Sequence, residues 1–244
     1  QQASSVTPFA AGTRHPVALA PSSINPGELE SIFEGFTLRS WSNPDEALGD
    51  DEEHRLYWRT SDSLPENLIV LDTPDIDSDA RVNWKRAEMV RQSADVLFAV
   101  LTMQKYNDVA IKDFFRMAGK EDIAVVVVFN MLHPAHYEKV WRVWLETFVE
   151  GTGVVPEWVY LAPDDLDAVD ANRLEFLERN WPVADSDEPL DAAHDAPHDL
   201  ALDLSRLKFD EIKLRSLRGA LRKVLDPDAG VPSWLDEIDR TSGQ

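Results

Sequence analysis

The sequence contains no cysteine, so it has neither a disulfide framework nor a thiolate metal centre. Positive charge is scarce. Lysines and arginines number 24 against 45 aspartates and glutamates, a formal net charge of −21. Such a surface repels nucleic-acid backbones and anionic membranes at long range, so no direct nucleic-acid contact is expected. No apolar run approaches the ~18 residues needed to span a bilayer, and no secretory leader opens the chain. The expectation is a cytoplasmic protein without a transmembrane segment. There is no internal repeat. The chain begins Gln1-Gln2-Ala3 rather than with methionine, which reads as a start inside a longer protein.

What is present is enough apolar residue, 43% of 244, to bury a sizeable core. The rest of the chain is organised around Asn67–Ser78, NLIVLDTPDIDS. The apolar run Leu68–Leu71 ends in Asp72, and a Thr73-Pro74 turn follows. A short apolar run bounded by turn residues reads as a buried strand. Open α/β sheets bind ligands at the carboxyl ends of their strands. In P-loop nucleotide hydrolases an aspartate at that end serves the magnesium ion.

Upstream of this stretch the pattern gives an extended segment at Val17–Ala20 and a helix at Pro26–Phe33. Further extended segments are Phe36–Trp41 and Arg55–Thr60. Downstream, helix and strand patterns alternate. Helices are expected at Val82–Ser93, Tyr106–Met117, Tyr137–Phe148 and Asp167–Arg179. Strands are expected at Asp95–Leu101, Ile123–Phe129 and Trp158–Leu161. This alternation predicts an α/β fold with a mostly parallel sheet and helices on both faces. Residues 182–203 are rich in Asp, Ala and Pro and read as an acidic linker. Leu204–Leu225 reads as an amphipathic helix, with Leu214, Leu217 and Leu221 among basic neighbours. A short tail follows, with Trp234 as an anchor. The expected organisation is therefore a domain over 1–181, a linker over 182–203, and a C-terminal helix and tail over 204–244.

Thr13-Arg14-His15-Pro16-Val17 resembles the first switch segment of dynamin-like and related bacterial large GTPases, where a TR-x-P-apolar pattern is typical. Leu68–Asp75 is similar to their next motif, an apolar strand ending in D-x-P-G, and Phe129-Asn130 is similar to the start of the guanine-reading [NT]-K-x-D motif. The resemblance covers roughly residues 1–180 and implies a Ras-like G domain that binds and hydrolyses GTP with Mg2+. It implies that Thr13 and Asp72 serve the metal and that Thr13, Asp72, Thr73, Pro74 and Asp75 bracket the terminal phosphate. It further implies that Thr13 contributes to catalysis and that Asn130 and His133 lie near the base. A protein partner through the switch segments or the basic C-terminal helix is a further implication.

The sequence departs from the pattern in three places. No G-x-x-x-x-G-K-[ST] occurs in it. The resemblance places that phosphate loop, with the first and central strand, before Gln1. Without that strand, the sheet is expected to show an unpaired edge between the Leu68–Leu71 and Val96–Leu101 strands. Asp75 stands in place of the glycine whose amide senses the terminal phosphate, and Ile76 in place of a water-orienting glutamine. His133 stands in place of an aspartate that accepts two hydrogen bonds from guanine, which an imidazole does not do in the same bidentate way. These departures support an alternative, a degenerate pseudo-GTPase acting as a protein-interaction module.

Other signals carry less. Asp75, Asp77 and Asp79 alternate like a calcium loop, but Ala80 and Arg86 occupy its glycine and glutamate positions. A D-x-D phosphatase would need its strand to end three residues after Asp72. His194 and His198 have the spacing of a helical metal pair, but Pro197 interrupts it. Arg14 is a candidate arginine finger, although a loop arginine is more often solvated. Trp141 and Trp144 fall on an apolar helix face and read as core. The basic helix over 213–223 is expected to pack on the domain and neutralise part of its acidic surface.

Overall fold

The computed structural model describes residues 14–49, 52–74, 76, 81–133, 137–171, 173–179, 181, 197–198, 200, 204 and 209–242. The chain divides into two compact units, Gln1–Ala94 and Asp95–Gln244.

The first unit holds a four-stranded sheet in the order β2-β3-β1-β4. Its strands are β1 (Val17–Pro21), β2 (Thr37–Ser40), β3 (Arg55–Ser61) and β4 (Val70–Asp72). β3 runs parallel to both β1 and β2, whereas β4 runs antiparallel to β1. Helix α1 (Pro26–Ile32) starts at a capping box in which the Asn25 and Glu28 side chains each bond the other's backbone N–H. Its Leu29 packs with Ala18, Ala20, Phe33 and Leu56 in a small core. Helix α2 (Arg81–Ser93) closes the unit.

The second unit holds a five-stranded sheet in the order β5-β6-β7-β8-β9. Its strands are β5 (Val96–Leu101), β6 (Ala124–Leu132), β7 (Trp158–Pro163), β8 (Phe176–Arg179) and β9 (Pro197–His198). The first three are mutually parallel and the last two join antiparallel. β6 is the centre of this core, as its β-branched run predicts. Val125, Val127 and Phe129 face one cluster, and Val126 and Val128 face another. Helices α3 (Val109–Lys120) and α4 (Tyr137–Thr152) cover the first face with Phe115, Trp141, Leu145 and Phe148. Trp141 is fully buried, and Trp144 packs at the rim against Phe129. Further helices are α5 (Leu166–Asp170), α6 (Phe209–Val224) and α7 (Val231–Ser242).

The fold is therefore α/β, but the expected single, mostly parallel sheet is replaced by two mixed sheets. The helices α3 and α4 both lie against one face of the second sheet. Leu174 and Leu200 pack against the Val126, Val128 and Tyr160 cluster on its other face. The segment expected to be a helix over Asp167–Arg179 splits into α5 and strand β8. The reason is reach. Five helical residues rise about 7.5 Å, whereas β7 extends about 20 Å, so α5 is too short to return the chain for a parallel crossover. β8 instead turns back and pairs antiparallel, with Leu161 opposite Leu177. The helix expected from Tyr106 begins at Val109, because the Asp108 side chain accepts from the Ala110 and Ile111 N–H groups. The tail expected to be short and anchored by Trp234 is helix α7, and Trp234 lies exposed on it. Proline at its second position suits a helix start.

β4 is an edge of the first sheet and β5 an edge of the second, and among the described residues they are not paired with each other. No helix among the described residues is long and apolar enough to cross a membrane.

Candidate functional site

The candidate residues fall into two groups, one in each unit. In the first unit, register decides the geometry. β1 and β4 pair with Val17 opposite Asp72, Ala18 opposite Leu71 and Leu19 opposite Val70. The start of β1 therefore lies beside the end of β4. The segment Arg14-His15-Pro16, which leads into Val17, and the turn Thr73-Pro74, which leaves Asp72, emerge from the same end of this strand pair. Asp72 is exposed, Thr73 half-buried and Pro74 buried. Thr13 and Asp75 lie outside the described residues, as do Asp77, Asp79 and His194.

The segment before β1 is fixed from below. The Arg14 and His15 N–H groups both donate to the Ala47 carbonyl at 3.0 Å. Ala47 belongs to the 3-10 turn Pro44–Leu48. The Tyr57 N–H donates to the Pro16 carbonyl at 3.0 Å. His15 is fully buried, with its ring edge-on to Tyr57 at 5.8 Å between centroids. From α2, the buried Arg86 guanidinium donates to the Arg14 carbonyl and to the Glu53 carbonyl, each at 2.7 Å. A buried guanidinium needs such acceptors to offset its lost hydration. Arg86 thus ties the candidate switch segment to α2, the helix that follows the Asp72 turn.

The sequence reading assigns no role to Arg86. The signal for its burial is its spacing, since Val82, Arg86 and Val90 recur every four residues and lie along one helix stripe. Nearby, burial holds the His54 imidazole below its usual range, and the Lys85 and Arg86 charges add to this. Protonating His54 therefore opposes folding, so its contribution to stability is present above about pH 6.5 and is lost as pH falls.

In the second unit Asn130 sits near the end of β6, where the pairing with β7 shifts register between Phe129 and Leu132. Met131 adopts a left-handed φ of 57°. The Asn130 side-chain amide oxygen, Oδ1, accepts from the Met131 N–H at 2.9 Å. The bulge and this local bond occupy part of the hydrogen-bonding capacity that a base would use. His133 follows and is exposed.

A magnesium ion bound by one or two protein oxygens, with waters and substrate phosphates completing its shell, suits an exposed strand-end carboxylate such as Asp72. Among the described residues no three His, Asp or Glu side chains gather into a cage that would hold a metal without such additional ligands. Compared with known protein families, curated proteins and solved structures, the chain matches none.

Proposed function

We propose that this chain belongs to a G domain that binds a guanine nucleotide and hydrolyses GTP with Mg2+ in the cytoplasm. The observation that carries the reading is the β1–β4 register, which brings Arg14-His15-Pro16 and Asp72 to one end of the same strand pair. Asp72 would hold the ion, and Thr13 would add its hydroxyl and respond to the terminal phosphate. Thr73, Pro74 and Asp75 would line the turn that follows. Backbone groups near Thr13 would position the attacking water.

One observation favours a second reading, a pseudo-GTPase that works as an interaction module. Asn130 turns its oxygen onto the neighbouring N–H, and His133 stands where a bidentate acceptor would serve guanine. The two readings separate in a titration of GTP and ATP, with and without Mg2+, into the full-length protein. The enzyme reading predicts Mg2+-dependent binding with GTP preferred. Absence of binding at millimolar nucleotide removes it, and equal affinity for both nucleotides removes guanine selectivity.

A further inference from the structure

Helix α6 docks on its own unit through its polar side. The Arg215 guanidinium donates to the Glu157 carboxylate at 2.6 Å and to the Asp122 carbonyl at 3.2 Å. Arg222 reaches the Asp122 carboxylate at 3.0 Å, and Lys223 reaches Glu121 at 2.9 Å. Gly219 is the point of closest approach, since a Cβ there would lie 2.1 Å from the Glu121 carbonyl oxygen. Ile212 is buried on the same side.

This docking turns the leucine stripe outward. Leu214, Leu217, Leu221 and Val224 are each about half exposed or more. Their spacing of three, four and three residues is that of a coiled-coil seam. After the elbow at Asp226–Gly230, helix α7 likewise exposes Trp234, Leu235 and Ile238. The elbow is braced, because the Asp226 carboxylate accepts from the Asp228 and Ala229 N–H groups and the Gly230 N–H donates to the Asp226 carbonyl.

We infer that α6 and α7 form the interface of a homodimer, in which the α6 seam of one copy packs on the apolar face of α7 of the second. Two observations select a second copy as the occupant. The first is charge. The charged positions of α6 from Lys213 onward are all basic, with Lys213 3.9 Å from Asp95 and Arg218 3.7 Å from Asp122 beside the seam, whereas α7 carries Asp236, Glu237 and Asp239 against the single Arg240. Each helix therefore complements the other across a twofold axis. The second is area. The seven apolar side chains named on the two helices are each about half exposed or more, together on the order of the 800 Å² per partner that a standard interface buries. This inference does not depend on nucleotide chemistry, so either reading of the site can fail without the other.

Sedimentation equilibrium of the 244-residue chain tests it. A dimer is expected at micromolar concentration. Leu217→Glu with Leu221→Glu, both on the exposed seam, should give a monomer with an unchanged circular-dichroism spectrum. Reversing the acids of α7 (Asp236→Lys, Glu237→Lys and Asp239→Lys) should weaken the dimer at least about tenfold. A wild-type chain that stays monomeric at 100 µM, roughly a hundredfold above the expected range, overturns the inference. So does a dimer that survives the double glutamate substitution. A dimer insensitive to the acid reversal overturns the pairing of α6 with α7.

Discussion

Helices α4 and α6 have sixteen residues each and both are amphipathic, yet they pack by opposite faces. α4 buries Trp141, Leu145 and Phe148 against the sheet. α6 sets a glycine, an isoleucine and several cations on the unit and leaves its leucines in solvent. The difference lies in what each helix meets. α4 covers the apolar face of β6, where burial of side-chain area drives docking. α6 meets Glu121, Asp122 and Glu157, carboxylates just ahead of β6 and β7. An amphipathic pattern specifies two faces but does not say which one the domain will take.

The contrast can be broken at four points. Leu145→Ala should have the largest effect, about 2–5 kcal/mol lost in urea unfolding, because Leu145 is fully buried in α4. A loss near that expected of a surface leucine would mean that α4 is not a core element. Gly219→Ala comes next. Alanine favours an isolated helix by about 1 kcal/mol, but the new Cβ would meet backbone at 2.1 Å and α6 would have to move. The clash should win, with about 1–3 kcal/mol lost and faster proteolysis within 209–224. Unchanged protease resistance would show that α6 is not held there.

Asp122→Asn removes the charge that faces Arg215, Arg218 and Arg222, while asparagine keeps the left-handed φ of 61° accessible. These pairs are partly solvated, so about 1 kcal/mol is expected, shrinking as salt rises. A salt-independent loss would point to geometry rather than charge. Leu217→Ala should do least, within about 0.5 kcal/mol in a dilute sample. A loss as large as that at Leu145 would place the α6 leucines in the fold of the single chain and erase the contrast.

The same contrast explains which parts of the structure are legible in the sequence. Ile123–Phe129 reads as a strand because its β-branched run suits a sheet buried on both faces, and β6 forms there. α4 reads as a helix because its tryptophans and phenylalanine recur at helical spacing. Phe176–Arg179 reads as helix and is a strand, because its partner is β7, a neighbour that no local pattern reports. The outward turn of Leu217 depends on Asp122, which is 95 residues away in sequence. At the candidate site, the apolar run before Asp72 and its Thr-Pro turn mark a strand end. That Asp72 lies opposite Val17 is a matter of register, set by pairing across more than fifty residues. Arg86 is legible only as a cation on an apolar stripe, and its acceptors, the Arg14 and Glu53 carbonyls, come from the fold.

The central claim is that the β1–β4 register assembles a magnesium-dependent nucleotide site around Asp72. The most direct test is GTP affinity, measured with Mg2+ and with chelator, in the full-length protein and in its Asp72→Ala variant. Asp72 is exposed, so the substitution should leave the fold intact. The account predicts that Mg2+ tightens GTP binding at least about tenfold in the parent and has little effect in the variant, a difference of about 1.4 kcal/mol or more. Equal Mg2+ dependence in the two proteins would contradict it.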